Sequence, residues 1–166
     1  TVLLDPSTAR ARTGDASQIL RNVGESDAPS VPPTQALRIL VVDDNEVNLL
    51  VSLSMLQHLG YRAETARDGH QALKRMETER FELVLMDLEM PEMDGAEATR
   101  RIRASLEAAC QPHIVGLSAH ALSTYRDSSL AAGMNDYLTK PLQIDDIRRL
   151  LARYQATQDS LPADSP

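Results

Sequence analysis

Short apolar runs alternate with stretches of helical periodicity along much of this 166-residue chain. A continuous aliphatic run is typical of a strand buried on both faces of a sheet, whereas apolar residues three or four positions apart indicate a helix that buries one face. This pattern predicts five strands, over 38–43, 61–65, 81–86, 113–117 and 136–139. It predicts helices over 45–59, 71–79, 98–106 and 122–132, and a closing helix with an apolar stripe over 144–151.

The alternation of strands and helices predicts the fold class. Five strand–helix repeats indicate an α/β domain in which helices cover both faces of a parallel sheet. The repeats occupy about 120 residues, which suits a five-stranded doubly wound (βα)5 sheet, because an eight-fold barrel needs ~250. We take the strand order to be 2-1-3-4-5. In such sheets the functional groups lie at the carboxyl ends of the strands.

The flanks of the repeats have a different composition. Residues 8–35 are rich in Ser, Thr, Ala, Asp and Pro and lack apolar periodicity, so we predict a largely disordered linker over 1–36. The domain itself is predicted over 37–155 and a disordered tail over 156–166. Because the chain begins at Thr1 and shows no signal peptide, we expect a segment of a longer cytoplasmic polypeptide.

Composition argues against several classes of protein. The net charge of −7 is unlike the clustered basic surface of a nucleic-acid-binding domain. No apolar run approaches the ~18 residues of a membrane span. The single Cys110 excludes an internal disulfide and a Cys-rich zinc site, and it is typical of a thiol in a reducing compartment.

Chemically reactive side chains follow four of the predicted strands. They are Asp43 and Asp44 after the first strand, Asp87 after the third, Ser118 after the fourth and Lys140 after the fifth. Each one alone is better explained as a solvated turn or a helix cap, and Asp44 or Asn45 is a candidate cap of the first helix. The informative observation is that all of them fall at one edge of the sheet.

In the assumed order the first and third strands are neighbours ~4.8 Å apart, so Asp43, Asp44 and Asp87 crowd one pocket. Two carboxylates about 4 Å apart repel by roughly 4 kcal/mol at an effective dielectric constant near 20, so a proton or a cation must join them. Oxygen ligands favour Mg²⁺, and no Cys or His lies beside these acids for zinc. A carboxylate neutralised in this way can attack phosphorus. We therefore predict phosphoryl transfer onto Asp87, with Lys140 and Ser118 contacting the phosphoryl oxygens.

Four motifs, in order and suitably spaced, then identify a family. They are Ile-Leu-Val-Val-Asp-Asp-Asn at 39–45, Met-Asp-Leu-Glu-Met-Pro-Glu-Met-Asp-Gly at 86–95, Gly-Leu-Ser-Ala at 116–119 and Asp-Tyr-Leu-Thr-Lys-Pro at 136–141. Together they resemble the receiver domain of two-component response regulators, over residues 37 to about 154. The resemblance implies a flavodoxin-like fold and a phosphoryl group that passes from a phosphohistidine on a partner to Asp87.

The resemblance also implies roles for individual residues. Mg²⁺, for which Mn²⁺ could substitute, would be held by Asp43, Asp44, Asp87 and the main-chain carbonyl of Glu89. The remaining implied roles are phosphoryl contacts from Ser118 and Lys140, a conformational switch through Ser118 and Tyr137, tuning of hydrolysis by Glu89 and His120, and a cis bond before Pro141. For Glu89 and His120 the alternative is two solvated loop residues, and for Tyr137 it is a half-buried side chain on an edge strand.

Two further sequence motifs resemble those of receiver domains that are fused to hybrid sensor histidine kinases. These motifs are Asp44-Asn45 with Asn48, and the run Ala-Ala-Gly-Met-Asn-Asp-Tyr-Leu-Thr-Lys-Pro at 131–141. The resemblance implies a histidine-phosphorylated kinase or phosphotransfer domain as donor. It also implies a protein partner at the face formed by the fourth helix, the fifth strand and the fifth helix. The parent would be a histidine kinase anchored in the inner membrane, and this segment would lie in the cytoplasm without touching the membrane or nucleic acid.

Two other functions stay open on the sequence alone. A small aspartate-dependent phosphatase or phosphotransferase acting on a free metabolite usually carries Asp-x-Asp on its first strand and a cap over the substrate, whereas this chain has adjacent acids and no room for a cap. A pseudo-receiver that only docks other proteins has no need of the full set of acids together with Ser118 and Lys140.

Overall fold

The structure, a computed structural model, describes residues 37–160. Its five parallel strands are β1 (Ile39–Val42), β2 (Ala63–Ala66), β3 (Leu83–Asp87), β4 (His113–Ser118) and β5 (Asp136–Thr139). The helices are α1 (Glu46–His58), α2 (Gly69–Thr78), α3 (Gly95–Ser105), α4 (Ser123–Ala131) and α5 (Ile144–Asp159), with a 3₁₀ helix at Ala108–Cys110. The strand order is β2-β1-β3-β4-β5. The predicted five-stranded, doubly wound α/β fold of order 2-1-3-4-5 is therefore confirmed.

Each face of the sheet carries its own apolar cluster, because successive residues of a strand point to opposite sides. One cluster packs against α2 and α3 and includes Leu40, Val84, Ala72 and Ile102. The other packs against α1 and α5 and includes Ile39, Leu85, Leu56 and Leu150. Because both faces of β1 and β3 are covered, every residue of these strands is buried.

Polar caps determine where the helices next to the acidic strand ends begin. The Asn45 side chain accepts a hydrogen bond from the Val47 amide at 2.9 Å, so Asn45 rather than Asp44 caps α1. The Asp94 side chain accepts one from the Glu97 amide at 2.7 Å and caps α3. Each cap satisfies a main-chain donor that the first helical turn leaves without a partner.

The structure differs from the predicted elements mainly at their ends. β2 begins at Ala63, two residues later than predicted, and the 3₁₀ helix was not predicted. The largest correction concerns α5, which continues to Asp159, so residues 156–159 belong to a helix and not to a disordered tail. The predicted linker over 1–36 and the tail over 161–166 lie outside the described residues. None of the helices in the described range has the length and apolarity that a bilayer crossing requires.

Candidate functional site

The sheet register brings the reactive side chains together at its carboxyl edge. In the β1–β3 pairing Val42 lies beside Met86, so Asp43 and Asp87 follow at equivalent positions on adjacent strands. Carboxylate oxygens of Asp43, Asp44 and Asp87 all lie within 4.8 Å of one another. The crowding that the sequence predicted for these acids is therefore present in the structure.

Lys140 bridges the two buried acids of this cluster. Its Nζ lies 2.9 Å from Asp43 Oδ2 and 2.9 Å from Asp87 Oδ1. Asp43 and Asp87 are each only 2% exposed, whereas Asp44 is exposed. The peptide bond between Lys140 and Pro141 is cis, as the family resemblance implies. The ammonium thus lies between two carboxyl groups that are almost fully buried.

The pKa of Asp87 is raised above its ordinary value, first because burial penalises the charged carboxylate and also because Asp43 lies close by. Hydrogen bonds from Lys140 and from the Glu89 amide oppose this shift without cancelling it. Burial acts to lower the pKa of Lys140, but its contacts with Asp87 and Asp43 prevail and raise it. The ammonium is therefore firmly charged, and it lies in a cluster of three carboxyl groups.

The carboxylate oxygens of Asp43, Asp44 and Asp87 are arranged in a way that fits a hard divalent cation. Asp43 Oδ1 accepts hydrogen bonds from the Asn45 amide at 2.8 Å and from Asn48 Nδ2 at 3.3 Å, which fixes its orientation. Asp44 is exposed next to it, and no thiol or imidazole takes part in the cluster. A set of carboxylate oxygens at this separation suits Mg²⁺ or Mn²⁺. The role of the Glu89 main-chain carbonyl as a ligand stays a prediction.

A second group of predicted residues forms a bridge between the loops that follow β3 and β4. Glu89 Oε1 lies 2.6 Å from His120 Nδ1, and the Tyr137 hydroxyl donates a hydrogen bond to the His120 carbonyl. The buried Ser118 Oγ accepts a hydrogen bond from the His120 amide at 3.0 Å. His120 therefore contacts the predicted switch residues and Glu89 at once. We call Glu89 and His120 the loop bridge.

Two residues next to the site were not predicted to take part in it. The Tyr125 ring, at the start of α4, stacks on the His120 ring with centroids 4.9 Å apart and an interplanar angle of 12°. Gly95, at the start of α3, packs so closely on the chain that an added Cβ would lie 3.0 Å from the main-chain carbon of Asp87 and would overlap its carbonyl oxygen. The motif around Gly95 was visible in the sequence, but its steric reason was not.

The fold and the acidic site together define a class: a doubly wound α/β domain with a lysine-bridged, metal-type cluster at the switch point of its sheet. The model of the response regulator receiver domain matches residues 39–152, and the chain belongs to this family.

Two curated relatives indicate which kind of receiver the chain resembles. The chain is 39% identical over 126 residues to hybrid signal transduction histidine kinase G of Dictyostelium discoideum, a match that covers 75% of this chain and 4% of that protein. It is 39% identical over 127 residues to the sensor protein GacS of Pseudomonas syringae, covering 74% of this chain and 14% of the relative. The chain thus spans a small part of these curated relatives.

A solved structure gives a closer view of one such domain. It is the receiver domain of a sensor histidine kinase from Pseudomonas aeruginosa, with a magnesium ion coordinated in its active site cleft. It shares 43% sequence identity with this chain at a TM-score of 0.65, and the match covers 73% of this chain and 98% of that one. The acidic triad that a metal site requires is present here as well.

Proposed function

We propose that this receiver domain takes a phosphoryl group from a phosphohistidine onto Asp87, with Mg²⁺ or Mn²⁺ bound by Asp43, Asp44, Asp87 and the Glu89 carbonyl. The observation that carries the proposal is the single ammonium of Lys140 between two buried carboxylates, with the third acid beside them. A structural ion pair needs one acid for one base. The surplus acids are explained by a cation and by a phosphoryl group that arrives later.

The contacts of Asp87 indicate which of its oxygens reacts. Oδ1 already faces Lys140 and accepts a hydrogen bond from the Glu89 amide at 3.1 Å. Within residues 37–160, Oδ2 receives no hydrogen bond and is the oxygen able to attack phosphorus. The P–N bond of the donor breaks as the P–O bond to Asp87 forms, and the imidazole nitrogen keeps the electron pair. When bound at the carboxylates, a divalent metal would neutralise charge on the phosphoryl oxygens.

Lys140 and Ser118 are positioned to hold the transferred group. The Lys140 ammonium, freed from part of its interaction with Asp87, would pair with a phosphoryl oxygen. Ser118 Oγ accepts from the His120 amide, so its own proton stays available to donate to another phosphoryl oxygen. If Ser118 is drawn towards the phosphoryl group, the His120 segment and the Tyr137 hydroxyl bonded to it must shift. This movement would alter the face formed by α4, β5 and α5, where we place a downstream protein partner.

The test is phosphorylation by a small acyl phosphate with and without Mg²⁺, followed by intact mass. We expect an adduct that needs Mg²⁺, is removed by hydroxylamine as an acyl phosphate, and is absent in Asp87→Asn. Rapid turnover of sugar phosphates would instead support a metabolite phosphatase. No adduct under any condition would overturn the proposal and favour a docking-only pseudo-receiver.

An apolar face of α1 next to the acidic site is a candidate docking surface for the phosphodonor. Val47 and Leu50 are 65% and 60% exposed, and Val51 is 43% exposed. Val51 also lines a cavity of about 170 Å³ together with Asp43 and Lys140. Exposed apolar side chains that border a reaction site are typical of a protein interface. We infer that a phosphotransfer or kinase domain packs here while its phosphohistidine reaches Asp87.

Replacing both Val47 and Leu50 by Glu is expected to slow phosphoryl transfer from a histidine-phosphorylated protein donor by about tenfold or more. Uptake from acyl phosphate is expected to be unchanged, because the small donor needs no docking surface. The matched control is Leu130→Glu on α4, where the side chain is also 44% exposed but lies away from α1. Equal losses with both donors, or an equal loss in the control, would contradict the assignment.

The loop bridge is proposed to lengthen the lifetime of the aspartyl phosphate. Glu89 and His120 connect the segments on either side of the reaction site, and the Glu89 carboxylate repels an attacking hydroxide. Glu89→Ala and His120→Ala are each expected to shorten the phosphoryl half-life by roughly threefold to tenfold, which corresponds to a barrier change of about 1 kcal/mol. Both variants should still be phosphorylated. Radiolabel decay after removal of the donor measures the effect.

Glu92→Asn, in the same loop, is the control for the lifetime experiment. Glu92 has a φ of 67°, a conformation that Asn tolerates. If all three variants and the wild type lose the phosphoryl group at the same rate, the loop bridge does not control the lifetime of the aspartyl phosphate.

We infer the origin of the segment from the relatives that it resembles. Similarity to hybrid kinases over most of this chain supports a parent hybrid sensor histidine kinase with a cytoplasmic receiver. Phosphotransfer between the native parent's histidine and Asp87, measured with the full-length protein, tests this step. A parent without a phosphorylatable histidine would contradict it while leaving the receiver assignment intact.

A further inference from the structure

A second cavity lies at the opposite, amino-terminal edge of the sheet. Its volume is about 470 Å³, and it lies among the residues that precede or begin β3, β4 and β5. Its lining includes the side chains of Arg80, Glu82, Arg103, His113 and Tyr154. Since parallel strands place the phosphorylation site at their carboxyl ends, this cavity is separate from the acidic cluster. Its size suits a small organic ligand.

Arg103 in the wall of this cavity is a partly buried cation without a carboxylate partner in the described part of the chain. Its Nε donates to the Gly133 carbonyl at 2.8 Å, and Nη1 donates to the Pro112 carbonyl at 2.7 Å and to Gln111 at 2.9 Å. Its Nη2 donates to Asn135 Oδ1 at 2.6 Å. All of these acceptors are neutral, so they fix the guanidinium in place without neutralising its charge.

A second unneutralised guanidinium lies in the same cavity. Arg80 Nη2 donates to the Ala109 carbonyl at 2.6 Å, and no carboxylate of residues 37–160 pairs with it. Most other arginines in this range lie in ion pairs, among them Arg153 with Asp136 at 2.8 Å. Arg80 is exposed, whereas Arg103 is partly buried, and both line the cavity. An anion placed there would interact favourably with both guanidinium groups.

The remaining polar groups of the cavity are compatible with an anion. Among the described residues neither the Tyr154 hydroxyl nor a ring nitrogen of His113 makes a hydrogen bond, so both are available to a ligand. Burial lowers the pKa of His113, with Arg103 and Arg153 adding to the shift and Asp136 opposing it. Glu82 is the one carboxylate in the lining, and its Oε2 is held by the Arg38 amide at 2.8 Å.

We propose that this cavity binds a small oxyanion, a phosphate monoester or a dicarboxylate, through Arg80 and Arg103. Arg80 has a single bond among the described residues, to the Ala109 carbonyl, so it can present the N–H fork that matches phosphate and carboxylate groups. Arg103, whose Nε and Nη1 donors are already used, adds its charge and the second N–H of Nη2. Arg103 is already held rigid by its neutral acceptors, so little conformational freedom is lost when the anion binds. Binding of an anion at this site would not depend on phosphorylation of Asp87.

The test uses the Asp87→Asn protein in EDTA, so that neither the metal site nor phosphorylation contributes. Inorganic phosphate and, separately, succinate are titrated at constant ionic strength while backbone amide NMR shifts are followed. We expect saturable shifts at Gly133 and Asn135 with at least one of the two probes, and the better probe identifies the ligand class. Arg80→Met is expected to weaken binding by about tenfold, the loss of one charge-assisted contact.

Two further variants make the outcome decisive. Arg62→Met is the matched control, because Arg62 also has no carboxylate partner in the described range but does not line the cavity. Arg103→Met should abolish binding, and its folding is checked by the NMR spectrum because Arg103 also holds neighbouring loops. Shifts that do not saturate with either probe, or equal affinities in Arg80→Met and Arg62→Met, would overturn the proposal. Neither result would affect the phosphorylation of Asp87 in the wild type.

Discussion

Lys140→Met is expected to slow phosphoryl uptake at Asp87 by about 10²- to 10³-fold, as is usual when a charged group that stabilises a transition state is removed. Lys140 Nζ is the cationic group that lies 2.9 Å from Asp87, and no other lysine or arginine of the described chain contacts this carboxylate. The rate of adduct formation with acyl phosphate and Mg²⁺ measures the effect. Lys74→Met, which removes the chain's other lysine from an exposed position on α2, should react at the wild-type rate.

The same substitution is expected to lower the free energy of unfolding in EDTA. Removing one partner of a buried ion pair typically costs about 3–5 kcal/mol, and because the Lys140 side chain is 21% exposed we expect roughly 2–3 kcal/mol here. Mg²⁺ should restore part of the loss, since it binds the folded state and reduces the same repulsion. Urea unfolding with and without Mg²⁺ checks both expectations.

At acid pH the free energies of unfolding of the wild type and of Lys140→Met are expected to differ less than at neutral pH. The pKa of Asp87 in the folded domain is already raised, and loss of the ammonium raises it further. A carboxyl group with a raised folded pKa binds its proton more tightly in the folded state, so its contribution to stability grows as the pH falls through that pKa. A stability difference that stays constant between neutral and acid pH would show that the lysine does not act through charge.

The topology and the acidic cluster could be predicted because each depends on local patterns. The aliphatic runs ending in Asp43 and Asp87 indicate buried strands, and once the strand order is assumed their carboxylates must meet. The length of α5 was less predictable. Its apolar stripe ends at Tyr154, and the polar residues after it continue the helix because no helix-breaking residue intervenes before Pro162.

The contacts around His120 could not be read from the sequence. The bond between Glu89 and His120 joins residues 31 positions apart, and the hydroxyl of Tyr137 reaches a main-chain carbonyl rather than a side chain. Such contacts depend on loop conformation and side-chain rotamers, which hydrophobic periodicity does not specify. Arg103 is a similar case, because its acceptors are carbonyls and amides from two separate loops.

Gly95→Ala is expected to lower the free energy of unfolding by about 2–3 kcal/mol, the cost of overpacking a site that cannot relax. The methyl group would overlap the Asp87 carbonyl oxygen and lie 3.0 Å from the Leu88 Cα, and these are backbone atoms rather than a flexible side chain. The first turn of α3 has little room to move away, because Thr99 Oγ1 donates to the Gly95 carbonyl at 2.7 Å and Asp94 caps the same turn.

The same clash should impair chemistry as well as stability. If α3 and the end of β3 are forced apart, Asp87 moves relative to Asp43 and Lys140, and a displacement of about 1 Å can cost 10²-fold in rate. Gly60→Ala separates this effect from a general cost of replacing glycine. Gly60 has a φ of 88° and no neighbour within 4 Å of an added Cβ. Gly60→Ala should therefore lower the free energy of unfolding by about 1 kcal/mol through backbone strain alone. Its phosphoryl uptake should be unchanged. Uptake at the wild-type rate in a folded Gly95→Ala protein would mean that the close packing of α3 on Asp87 does not position the phosphoryl acceptor.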